Sequence, residues 1–150
     1  MTPGSSADPV ALPPGAHRWT EAERQLAAAV LAGRTVVVNV RRGGPHRHLV
    51  PWLVEEGLLT YVGHAGPRHT WPESDFANPF LALRADRDAM VTRYRDWILT
   101  NEPLRARLRD GELTGRALGC WCAPQRCHAD VLADLADHPP TLDNRGPTTR

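Results

Sequence analysis

The chain has 150 residues with 18 basic and 17 acidic side chains, a formal net charge of +1, and every basic one is arginine. Without lysine there is no amine for a Schiff base, no Walker A lysine and no kinase lysine. Pyridoxal-phosphate and aldolase-type mechanisms, ordinary P-loop nucleotidases and kinases are therefore excluded.

A permanently cationic contact to phosphate or carboxylate must come from arginine, whose planar fork binds oxyanions in pairs. The near-balanced charge gives no support to a generic nucleic-acid face. No apolar run approaches the ~20 residues of a membrane span, and the N-terminus lacks the pattern of a signal peptide, so the expected location is the cytoplasm. Three cysteines within eight residues then favour metal or thiol chemistry over disulfides.

Residues 1–17, rich in Pro, Gly, Ser and Ala, read as a disordered leader, and residues 138–150 as a disordered tail. A single α/β domain is expected over 18–137. Thr20 and Glu23 form a capping-box pattern ahead of a helix that stops at Gly33. The β-branched run 35–40 predicts a buried strand, 48–57 a short helix, and 58–63 a second strand. A long loop, punctuated by Gly66-Pro67, Trp71-Pro72 and Asn78-Pro79, runs from His64 to Leu83. Residues 86–101 carry Met90, Val91, Tyr94, Trp97 and Ile98 at helical spacing. A short helix from Pro103 follows, then a third strand in RALGCWC, and a last helix over 128–136. Alternating helices and apolar strands predict a small three-layer, Rossmann-like α/β domain with a mainly parallel sheet.

The densest signal is GCWCAPQRCHAD, residues 119–130. Cys120, Cys122, Cys127 and His128 offer a zinc or iron ligand set, although C-x-C-x4-C-H is not a usual finger spacing. Alternatively, Cys127 at a helix N-terminus is expected to have a lowered pKa, with His128 and Asp130 supplying acid or base function. The plainer alternative is that these cysteines are small buried hydrophobes. Cys120 to Arg126 also matches the C-x5-R spacing of cysteine phosphatases, but Pro124 lacks the N–H that a phosphate cradle requires.

A second constellation ends the first strand: Asn39, Arg41, Arg42 and two glycines. Gly63 and His64 end the second strand. If the strands are parallel, these endings and the cysteine segment meet at one edge, where open α/β sheets bind ligands. Arg41 and Arg42 would hold an anion, while Trp71, Asn78 and Phe80 in the long loop would stack or hydrogen-bond a base.

The series VVVNVRR, YVG, NPF, RYRDWI and LGCWCAPQRCHADVLADL, in that order over residues 35–136, resembles the uncharacterised DUF4326 family. The terminal Cys-His segment is similar to that of the DUF488 family. The resemblance implies a compact α/β domain and draws attention to Asn39, Arg41, Asn78, Tyr94, the three cysteines, His128 and Asp130. It implies no particular reaction. The chain departs from the family pattern at His64, where arginine is expected, and at Asp75-Phe76-Ala77, where tryptophan and glycine are expected.

Three functions are open at this stage. The first is an enzyme acting on a nucleotide, nucleoside or other small anionic ligand. The second is a metal-stabilised module binding nucleic acid or protein. The third is a non-catalytic ligand sensor using the same pocket.

Overall fold

The computed structural model describes residues 11–66 and 71–139. Helix α1 (Glu21–Leu31) begins at the predicted box: Thr20 Oγ1 accepts from Glu23 N at 3.1 Å, and Glu23 Oε1 accepts from Thr20 N at 2.9 Å. Gly33, at φ 94°, turns the chain out of the helix through a conformation that a Cβ would strain. Then follow β1 (Val36–Asn39), α2 (Leu49–Glu55), β2 (Leu59–Tyr61), α3 (Arg87–Thr100), α4 (Glu102–Arg109), β3 (Ala117–Cys120) and α5 (His128–Asp137).

Among its described residues, the predicted loop 64–83 contains one short 3-10 turn, Leu81–Leu83. The leader was drawn too long. Pro14–Arg18 forms a 3-10 turn that buries Ala16 and delivers Trp19 against Trp52, ring centroids 5.4 Å apart. Apolar burial anchors this segment despite its Pro- and Gly-rich composition. Residues 1–10 of the leader and the tail beyond Pro139 lie outside the described residues.

The sheet is parallel throughout, in the order β1-β3-β2, with Asn39 opposite Cys120 and Tyr61 opposite Gly119. The central strand β3 is wholly buried. One face carries Ala27 and Val30 of α1 and Leu49 and Leu53 of α2 against Val38 and Ala117. The other carries Tyr94, Ile98, Leu108 and Leu132, from α3, α4 and α5, against Leu118. The architecture is thus a small three-layer α/β domain. Its β1 lies at the sheet edge, whereas the dinucleotide-binding order keeps the first strand inside.

The path from β1 to β2 crosses the sheet one way, and the path from β2 to β3 returns. With crossovers of one hand, a reversal of direction puts the connections on opposite faces. That is the case here: α2 packs on one face, α3 and α4 on the other. After β1 the chain leaves toward α2, and after its neighbour β3 it leaves toward α5 on the opposite face. The carboxyl ends of β1 and β3 therefore diverge and leave a crevice. Among the described residues, no helix is long and apolar enough to cross a membrane.

Candidate functional site

Two cavities open at this carboxyl edge, and Trp121, just past β3, lines both. The wide cleft, about 850 Å³, is lined by Arg41, Arg42, Arg47, His48, Trp71 and Trp121, with Val40, Val50 and Pro51 as apolar floor. The narrow cavity, about 230 Å³, is lined by His64, Asn78, Cys120, Cys122, Cys127 and His128, with Gly63, Leu81 and Met90 among its apolar contacts. Ligand pockets usually run ~300–1,000 Å³, so the first suits a whole small ligand and the second a fragment of one. Among the described residues no carboxylate lines either cavity.

The wide cleft is built by buried polar groups beneath it. Asn39 Nδ2 donates to Ala123 O at 2.7 Å, and Asn39 Oδ1 accepts from Arg41 N at 2.8 Å, tying the end of β1 to the cysteine segment. Asn39 N donates to His46 Nδ1 at 2.8 Å, and burial lowers the His46 pKa. Glu23, fully buried, has a second task beyond the capping box. Its Oε2 accepts from His48 N at 2.8 Å and Leu49 N at 3.0 Å, which caps α2. Burial pushes the Glu23 carboxyl up, but the hydrogen bonds from Thr20, His48 and Leu49 outweigh it and hold the pKa below the usual value. Arg41 and Arg42 above this scaffold are exposed, and no ion pair engages them among the described residues.

Trp71 stacks on Tyr61 with centroids 5.3 Å apart and planes at 24°. Trp121 Nε1 donates to the Tyr61 hydroxyl, which in turn donates to His64 O. The wall between the cavities is therefore pinned from both sides.

In the narrow cavity the three cysteines are free thiols. Cys127, 1 % exposed, donates to Cys120 Sγ at 3.6 Å. Donation to Cys120 and Cys122, together with burial, pushes the Cys127 pKa far up, so it stays a thiol. Where a lowered pKa was expected for Cys127, its S–H donates to a neighbouring sulfur, and that donation with burial outweighs the helix terminus. The activated sulfur is Cys122. The Cys127 S–H bond and the Arg87 guanidinium overcome partial burial and lower its pKa to about 6. Cys120 is lowered by the same Cys127 donor. Cys122 differs from Cys120 in having the Arg87 guanidinium beside it as well.

His128, 7 % exposed, donates Nε2–H to Val62 O at 2.7 Å. Burial lowers its pKa to about 4, so it is neutral at pH 7, a weak base with its lone pair on Nδ1. That nitrogen makes no hydrogen bond among the described residues. As for the zinc or iron set, no three His, Cys, Asp or Glu side chains among the described residues are arranged to hold a metal ion. Asp130 is not at the cavity either; its Oδ2 accepts from Cys127 N at 2.8 Å and caps α5.

His64 Nε2 faces Asn78 O at 2.7 Å, and Nδ1 faces Glu73 Oε2 at 2.7 Å. Both partners accept, so both nitrogens must donate and the ring is an imidazolium. The Asn78 carbonyl, against the opposing effect of partial burial, and then Glu73 raise its pKa. A cation thus stands where the family resemblance implies an arginine. Asn78 itself is 2 % exposed. Its Oδ1 accepts from Phe80 N at 2.8 Å, which fixes the amide orientation and leaves Nδ2 buried without a partner among the described residues.

Of the predicted ligand contacts, Arg41, Arg42 and Trp71 line the cleft, and His64 and Asn78 line the cavity. Asn39 does not; its amide is consumed in the scaffold. Phe80 does not either, because it packs edge-on against Trp97 at 6.2 Å under the Arg93 guanidinium. Sequence reasoning missed Arg47, His48, Trp121 and Arg87. A polar run before α2 was the only local sign of the first two. Arg87 reaches the cysteine segment from α3, a contact that no sequence spacing reveals.

Compared with known protein families, residues 21–138 match the family described as Domain of unknown function (DUF4326). No curated protein and no solved structure matches the chain.

Proposed function

The chain belongs to the DUF4326 family, and from its own geometry we propose that it is an enzyme acting on a small anionic, nucleotide- or nucleoside-like ligand. The observation that carries this is the pair of cavities sharing the Trp121 wall, one cationic and aromatic, the other lined by an activated thiol. Arg41 and Arg42 grip the anion, which no carboxylate in the cleft repels. Trp71 and Trp121 offer ring faces to a base. Cys122 is the nucleophile: its thiolate forms a bond to an electrophilic carbon while the leaving group departs with its electron pair and takes a proton from water, and the hydroxide so formed displaces the sulfur from that carbon and restores the thiolate. The Cys-His segment, which resembles that of the DUF488 family, thereby carries the chemistry. A reducing cytoplasm suits three free thiols.

The test is tryptophan-fluorescence titration with a panel of nucleoside monophosphates, inorganic phosphate serving as control. Replacing Arg41 and Arg42 together by Gln should weaken nucleotide binding about tenfold or more, since a charge-assisted hydrogen bond contributes ~1.5–3 kcal/mol. No binding across the panel, or equal affinity for both proteins, refutes the proposal.

A further inference from the structure

The narrow cavity is lined by two side chains, each with a polar atom that no described residue engages. One is Asn78, whose Nδ2 is a buried donor without an acceptor among the described residues. A buried polar group without a partner is disfavoured unless something brought from outside completes it. Its orientation is not free to change, because Oδ1 is held by Phe80 N. The loop bearing it is pinned in turn: Tyr94, fully buried in α3, donates its hydroxyl to Phe76 O at 2.7 Å. The other is His128, whose Nδ1 is an acceptor by elimination, because Nε2 carries the proton toward Val62 O. Tyr94 also fixes the His128 ring, at 5.0 Å between centroids. The remaining walls, Leu81, Met90, Gly63 and Trp121, are largely apolar and suit an uncharged ring.

We infer that this cavity binds the uncharged amide or lactam edge of a small ring, its carbonyl oxygen accepting from Asn78 Nδ2 and its N–H donating to His128 Nδ1. The inference deepens the proposed function, on which it rests in taking the narrow cavity as the end where the ligand's ring enters. A phosphate finds a cation here in His64, but it brings no N–H for the His128 Nδ1 lone pair. Inosine- and uridine-like rings present the required edge; a ring without an N–H beside its carbonyl does not.

The probe is 2-pyridone, the smallest aromatic lactam, compared with N-methyl-2-pyridone by NMR titration of the intact protein. The lactam should bind ~10-fold more tightly than its N-methyl analogue, the loss expected when a buried acceptor is left unpaired. Asn78→Asp, which turns the donor into an acceptor, should abolish lactam binding. Asn78→Ser and a thermal melt of each variant separate this loss from misfolding: a folded N78S with lactam binding intact overturns the inference. Equal binding of the two pyridones, or binding of neither, also overturns it. If nucleotides fail to bind while the lactam binds selectively, the proposed function falls and the ring site stands.

Discussion

Cys122 allows a quantitative test. With a pKa of about 6 against an ordinary thiol near 9, it is about 90 % thiolate at pH 7, where the ordinary thiol is about 1 %, a gain of about 90-fold. Intrinsic nucleophilicity falls with pKa at a Brønsted slope of ~0.4–0.5, which costs about 16- to 30-fold over three units. The net advantage at pH 7 is therefore only about three- to sixfold. At pH 9 the ordinary thiol is half ionised and keeps its higher nucleophilicity, so Cys122 should react about tenfold more slowly. The assay is alkylation by iodoacetamide between pH 5 and 10, with the site identified by mass spectrometry. The Cys122 rate should rise with a midpoint near 6 and then stay flat. Cys127→Ala removes the main donor and should move the midpoint up, while Cys127→Ser, which retains an O–H donor, should move it less. A native midpoint near 9, or a C127A profile identical to the native one, would refute the sulfur relay.

Four other outcomes follow from the packing. Glu23→Gln keeps one acceptor oxygen but turns an NH₂ toward two of the donors the carboxylate now holds. Two unsatisfied buried donors cost ~1–3 kcal/mol each, so the melting temperature should drop by several degrees. Because the folded-state pKa of Glu23 is depressed, its stabilisation is present above the unfolded carboxyl pKa and lost as pH falls through the folded value. The gap between native and E23Q melts should therefore narrow below about pH 4.5, and a gap independent of pH would count against the buried carboxylate. Gly119→Ala would bring a Cβ to 2.6 Å from Val40 Cγ1 on the neighbouring strand, and overpacking of this kind costs ~1–3 kcal/mol in a denaturant melt. Glu73→Gln should lower the His64 pKa seen by NMR. The His64 contribution runs opposite to that of Glu23: it is full below the unfolded histidine pKa and fades as pH rises through the raised folded value.

Much of the fold was legible because local signals agreed with the tertiary outcome. Thr20 and Glu23 carried a full capping box, and α3 lies within a residue of its predicted ends because its apolar stripe and the Asp86 cap coincide. The meeting of three strand ends at one edge was readable from the βαβ alternation. Misreadings of the site have a common cause. Asn39, Phe80 and Asp130 had the right chemistry, but each is consumed by a neighbour in space: a carbonyl of the cysteine segment, Trp97, and the end of α5. The helix-terminus argument chose Cys127 over Cys122 because it considered the backbone dipole alone; the other two sulfurs and Arg87, 35 positions away in the chain, decide the matter. The burial of Asn78 Nδ2 has no signature in the sequence.

Trp121 is a single partition shared by two chambers, and this has a consequence for affinity. Fragments that fill one chamber each lose translational and rotational freedom separately, so each alone should bind weakly. A two-headed ligand, anionic at one end and ring-bearing at the other, loses that freedom once and gains from the high effective concentration of its second head. Its affinity should exceed the product expected from its halves, provided its linker can pass the indole edge. On the proposed function, the partition would act as a molecular ruler, selecting ligands by the distance between their charge and their ring.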